Sequence, residues 1–85
     1  MTDRSELKLL VAEDDLEIAD LLRTTLSGHG YTVSLVHDGQ EALDTALADP
    51  PDVIILDVMM PEMNGWEVCK ALRARPEFAD AGILM

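Results

Sequence analysis

Asp57 closes an uninterrupted apolar run, Val53-Ile54-Ile55-Leu56, and opens the stretch DVMMPEMNG, in which three of nine residues are methionine. A second acidic group, Glu13-Asp14-Asp15, follows another apolar run, LKLLVA over residues 7–12. If the two runs lie side by side, their terminal carboxylates repel, and a small domain tolerates this only when a cation or proton offsets the charge. All-oxygen donors favour a hard ion such as Mg2+, held through one or two carboxylates with waters completing its shell. The open positions of such an ion accept phosphate oxygens, and the Asp57 carboxylate is a nucleophile able to form an acyl phosphate. Taken singly, each group has a plainer role. Glu13, Asp14 and Asp15 suit a helix N-terminus, where the macrodipole favours acids, and an Asp at a strand end suits a turn. Their placement at adjacent strand ends is what favours the chemical reading.

The elements that must bring these groups together are short and well punctuated. Residues 7–12 read as a strand buried on both faces, after which Asp14 or Asp15 caps a helix carrying Ile18, Leu21, Leu22, Thr25 and Leu26 at helical spacing. Gly28 is expected to end that helix in the left-handed position beyond its last turn. Tyr31 to Val36, rich in β-branched residues, forms a second strand. His37-Asp38-Gly39 is a turn, and Gln40 to Ala48 forms a second helix that Pro50-Pro51 stops. Asp52 to Leu56 is a third strand, again apolar enough for burial on both faces. Asn64 caps a third helix over 65–74 with Trp66, Val68, Cys69 and Leu72 as its apolar positions. Residues 77–81 form a connector, and Gly82-Ile83-Leu84-Met85 opens a fourth strand.

Strict alternation of strand and helix with short links predicts an α/β fold, a doubly wound parallel sheet with right-handed crossovers and helices on both faces. Ligands collect at the carboxyl ends of strands where the strand order reverses. With the order 2-1-3-4, that point lies between the first strand, ending at Glu13 and Asp14, and the third, ending at Asp57. Pro61 fixes a turn behind the site, and Gly65 lets the backbone enter the next helix at close range. His29 and His37 are expected at the surface or boundary, away from this edge. Trp66 is expected to half cover the core, and Cys69 to be a small core residue.

Composition narrows the function further. At 85 residues the ceiling is one domain. Seventeen acidic against six basic residues give a formal charge of −11, which repels nucleic-acid phosphates and anionic lipid alike. No apolar run approaches the ~20 residues of a membrane span, and the polar start MTDRSE is not a secretory signal. A cytoplasmic protein is expected, and its single cysteine forms no intramolecular disulfide.

The residues Leu9-Leu10-Val11-Ala12-Glu13-Asp14-Asp15, the spacing to Asp57, and Asp57-Val58-Met59-Met60-Pro61-Glu62-Met63-Asn64-Gly65 together resemble the receiver domain of two-component response regulators. The resemblance runs over the whole chain and implies the flavodoxin-like receiver fold. It makes Asp57 the phosphoacceptor, supplied by a phosphohistidine on a sensor histidine kinase or a phosphotransfer protein. It implies Mg2+ ligated by Asp14 and Asp57, approached by Glu13 chiefly through water, and held also by the main-chain carbonyl of Met59. The first helix and nearby loops would dock the kinase, and the output would be a conformational shift rather than product turnover. Leu16 stands where the family often has proline, a harmless departure.

Receivers of this kind run to about 120 residues and continue to a fourth strand ending in Ser/Thr and a fifth ending in Lys. The expectation is therefore that residues 1–85 are the N-terminal part of a single bacterial receiver domain. The fourth strand would then offer an edge for pairing with a second copy. Met59 carries no group to orient an attacking water, which implies a longer-lived acyl phosphate than a Met59→Asn variant would have. Two other functions compete. One is a receiver-like interaction module that takes no phosphate. The other is an Mg2+-dependent phosphatase with an Asp nucleophile, against which Asp57-Val58-Met59 lacks the second Asp of the usual Asp-x-Asp.

Overall fold

The computed structural model describes residues 7–58, 60, 63–79 and 81–85. Four strands, β1 (Lys8–Ala12), β2 (Thr32–Val36), β3 (Val53–Leu56) and β4 (Gly82–Leu84), alternate with α1 (Leu16–Gly28), α2 (Gly39–Ala48) and α3 (Gly65–Arg73). All strand pairs are parallel and the order is β2-β1-β3-β4, so the chain reverses direction across the sheet at β1/β3. The register places Ala12 beside both Val36 and Leu56, which brings three strand ends level at one edge. The expected doubly wound α/β sheet is the fold observed.

Side chains alternate across this sheet, and its two faces are covered unequally. On one face Leu10, Ala12, Val36, Ile54 and Leu56 join Ala42 and Ala46 of α2, Val68 and Leu72 of α3, and Met60 and Phe78 in a single core cluster. Each fully buried aliphatic there contributes about 1.5–3 kcal/mol relative to exposure. On the other face α1 packs over β1 and β2, where Leu9, Val11 and Ala19 are buried. Val53 and Ile55 of β3 point to this second face and are only half-buried, so the burial on both sides expected for β3 is complete on one side alone. The small Ala residues at α2's contact positions let that helix lie close to the strands.

Several local expectations change. The left-handed position after α1 belongs to Gly30, with φ 93°, and Gly28 is the last residue of the helix itself. His29 and Gly30 donate their N–H groups to Leu26 and Ser27 carbonyls, so the chain takes two further residues to turn out of the helix. Trp66 is 58% exposed and stands outside the core it was expected to half cover. The stretch 77–81 is more than a connector. A 3-10 helix, Pro76–Phe78, drives Phe78 to 1% exposure in the core. The Arg73 guanidinium donates to the carbonyls of Phe78 (2.9 Å) and Ala79 (3.2 Å), fixing the turn that aims the ring inward. Cys69 is half-buried against the core cluster, in line with its apolar helical position.

Candidate functional site

Glu13 and Asp14 leave β1 while Asp57 leaves β3, and backbone bonds hold the exits together. Glu13 N–H donates to the Val36 carbonyl at 3.1 Å, and Asp57 N–H donates to the Ala12 carbonyl at 3.1 Å. Each of these bonds continues the parallel ladder one residue beyond the strand, so the carboxylate-bearing residues inherit the rigidity of the sheet. Asp15 has a separate task as N-cap of α1. Its Oδ1 accepts from the N–H groups of Glu17 (3.0 Å) and Ile18 (3.1 Å), satisfying two donors left open at the helix start. Of the two candidate caps, Asp15 is the one used, which leaves Asp14 available to the site.

Glu13, Asp14 and Asp57 each bring a carboxylate oxygen within 4.8 Å of the others. Glu13 and Asp57 are half-buried, whereas Asp14 is exposed. Burial pushes the Glu13 carboxyl above its ordinary range. The Asp15 N–H, 3.2 Å from Glu13 Oε2, works in the opposite direction, while hydrogen bonding and charge from Asp57 and hydrogen bonding from Asp14 raise it further. Retaining a proton on Glu13 or binding a cation would each relieve the repulsion among the three acids. The donor set is entirely oxygen, which fits a small hard divalent cation. The two other expected features of the pocket, the Met59 carbonyl and the Pro61 turn, lie outside the described residues.

Glycines set the approach of the loops. A Cβ at Gly65 would stand 2.6 Å from the Asp57 carbonyl oxygen, and Gly65 N–H donates to the Val58 carbonyl at 3.2 Å. The expected close entry into α3 is therefore a contact with the backbone of Asp57 itself. Asn64 and Glu67 cap that entry reciprocally. Asn64 Oδ1 accepts from Glu67 N–H at 3.0 Å, and Glu67 Oε1 accepts from Asn64 N–H at 3.3 Å. Gly39, read from the sequence only as a turn residue, has a comparable role, since a Cβ there would overlap the Met63 carbonyl. The start of α2 and the loop after β3 thus meet backbone to backbone.

The placement of His37 is a correction. Expected away from this edge, its Nδ1 lies 3.2 Å from the Glu13 carbonyl oxygen. The register contained the signal: Ala12 pairs with Val36, so the next residues, Glu13 and His37, emerge side by side. His29, at the far end of α1, takes no part.

Residues 9–85 match the model of the response regulator receiver domain, and the chain belongs to that family. It is 50% identical over 68 residues to the response regulator MprA of Mycobacterium avium, an alignment covering 80% of this chain and 30% of that protein. Among solved structures, it superposes on the chemotaxis response regulator CheY4 of Vibrio cholerae with a TM-score of 0.90 and 40% identity, covering 93% of this chain and 66% of that one. A second neighbour is the receiver domain of the sensor histidine kinase PA1611 of Pseudomonas aeruginosa, described with a magnesium ion coordinated in its active-site cleft. Its TM-score is 0.87 at 27% identity, over 91% of this chain and 63% of that one. The chain thus spans under a third of the curated relative's length and about two-thirds of the structural neighbours'. Among the described residues no helix is long and apolar enough to cross a membrane.

Proposed function

We propose that residues 1–85 are the N-terminal part of one receiver domain, and that Asp57 accepts a phosphoryl group from a phosphohistidine on a sensor histidine kinase or phosphotransfer protein. The observation that carries this reading is the convergence of Glu13, Asp14 and Asp57 at the ends of β1 and β3. An Asp57 carboxylate oxygen attacks phosphorus, the phosphorus–nitrogen bond breaks, and its electron pair stays on the departing imidazole. Asp14 and Asp57 would hold Mg2+ directly, Glu13 would act through water, and the Met59 carbonyl would supply a further oxygen. A metal ion held there would supply the positive charge that lets the two anions meet. The magnesium in the PA1611 receiver domain supports this choice of ion. The role is that of a bacterial, cytoplasmic signalling switch, read out as a change of conformation. In the 85-residue chain by itself, the edge of β4 would offer a second contact, pairing with another copy.

Intact-mass analysis of the full natural chain, before and after Mg2+ with a small phosphodonor such as acetyl phosphate, tests the chemistry. One phosphoryl group should be gained, and the gain should be lost in Asp57→Asn and on chelation of the metal. Phosphoryl gain that survives Asp57→Asn would move the acceptor elsewhere. No gain in the unsubstituted protein would favour an interaction module that takes no phosphate.

A further inference from the structure

We infer that His37 is a positioning residue for the acidic site, holding Glu13 and Asp14 in place through the Glu13 main chain. This inference rests on the reading of Glu13, Asp14 and Asp57 as a cation site. A carbonyl oxygen only accepts hydrogen bonds, so the contact at 3.2 Å requires that Nδ1 of His37 carry a proton and donate it to Glu13. Glu13 is thereby tied to the end of β2 on both sides of its Cα: its N–H donates to the Val36 carbonyl, and its C=O accepts from the His37 ring. The first tie is an extension of the sheet ladder and is present whatever side chain succeeds Val36. The second depends on the identity of residue 37.

The second tie acts on the peptide unit that leads from Glu13 into Asp14, and Asp14 is exposed. The next residue, Asp15, is committed to capping α1 through Glu17 and Ile18. The peptide between a fixed strand end and a fixed helix start therefore sets the direction in which Glu13 and Asp14 present their carboxylates. His37 is half-buried and holds that peptide from the side of β2. Loss of the ring removes one restraint on the Glu13–Asp14 peptide, and the three carboxylates then need additional ordering when they close on an ion. Groups that orient ligands from outside the coordination sphere commonly change metal affinity by 10–100-fold. A tie to main chain rather than to a ligand's own side chain belongs at or below the lower end of that range.

The test measures Mn2+ binding by electron paramagnetic resonance, with Mn2+ standing for Mg2+, in the full natural chain and in His37→Ala and His37→Asn. An asparagine side-chain N–H occupies nearly the place of Nδ1–H, so it can restore the donor without the ring. His37→Ala should bind Mn2+ about 3–10-fold more weakly, and His37→Asn should recover most of the loss. Equal affinity in all three proteins would overturn the inference while leaving the cation site intact, as would equal weakening in both variants. Absence of binding in the unsubstituted protein would overturn the cation-site reading and this inference with it. Should His37→Ala fail to fold, His37→Leu, which fills the space without a donor, takes its place: weaker binding than in His37→Asn is expected, and equal affinity in these two variants would overturn the inference.

Discussion

At the scale of single residues, the site's most informative group is Glu13. Its carboxyl titrates above the ordinary glutamate range because burial and the neighbouring acids disfavour its charge. Between the ordinary value and the raised one, the folded chain binds more protons than the unfolded chain. Stability from this group is therefore fully present below the ordinary value and is lost as pH rises through the raised one. In the absence of divalent cations, Glu13→Gln should remove this component, so the variant gains stability relative to the parent as pH rises above the ordinary glutamate range. Urea midpoints of the two proteins across that interval, in the presence of chelator, measure it. An unchanged difference at every pH would contradict the assignment. The sequence made Glu13, Asp14 and Asp57 legible because each follows an apolar run that reads as a buried strand, and the order 2-1-3-4 sets the ends of those two strands side by side. It concealed Gly39 and His37 because their roles depend on contacts with the Met63 and Glu13 backbones, and no local pattern encodes these.

Among the elements, the strands were the most readable, since apolar runs of four to six residues between turn signals admit little else. Helix starts were equally clear at Asn64, where side-chain chemistry and position coincide, and were left open between Asp14 and Asp15, where two adjacent acids could do the same work. The stretch after α3 was misread because a buried aromatic in a five-residue connector has no periodicity to reveal it. Phe78 nevertheless fills the core beneath α3, with its turn held by Arg73. Phe78→Ala should destabilise the fold by about 3–5 kcal/mol, measured by chemical denaturation of the full natural chain. A loss under about 1 kcal/mol would mean that the ring is not a core element.

At the largest scale, the described residues cover the two faces of the sheet unequally. One face is closed by α2, α3 and the 3-10 turn, while α1 is the helix described on the other, with Leu16, Ile18 and Leu21 exposed on it and Leu84 exposed on β4. Exposed apolar side chains beside a sheet edge favour further association. The 85-residue chain should therefore self-associate in sedimentation at high concentration, more so when salt screens its charge of −11. Leu84→Lys should shift it toward monomer. A strictly monomeric profile under all these conditions would mean that the β4 edge makes no contact between copies. The unequal cover that the described residues give the two faces could not be read from the strands, because β3 is as apolar as a strand covered on both sides.

The backbone bonds that join Val36 to Glu13 and Ala12 to Asp57 also concern the order of events in folding. Each link closes a loop of more than twenty residues, and parallel strands cannot pair until the helix between them has crossed over. A slip of β3 by one residue would turn its core side chains to the wrong face and carry Asp57 about 3.3 Å away from Glu13. The acidic pocket is therefore absent from a nascent chain until the third strand has been synthesised and has docked in register. A divalent cation selective for that pocket rewards only the correctly registered sheet, and the signalling site doubles as a checkpoint on the fold that builds it.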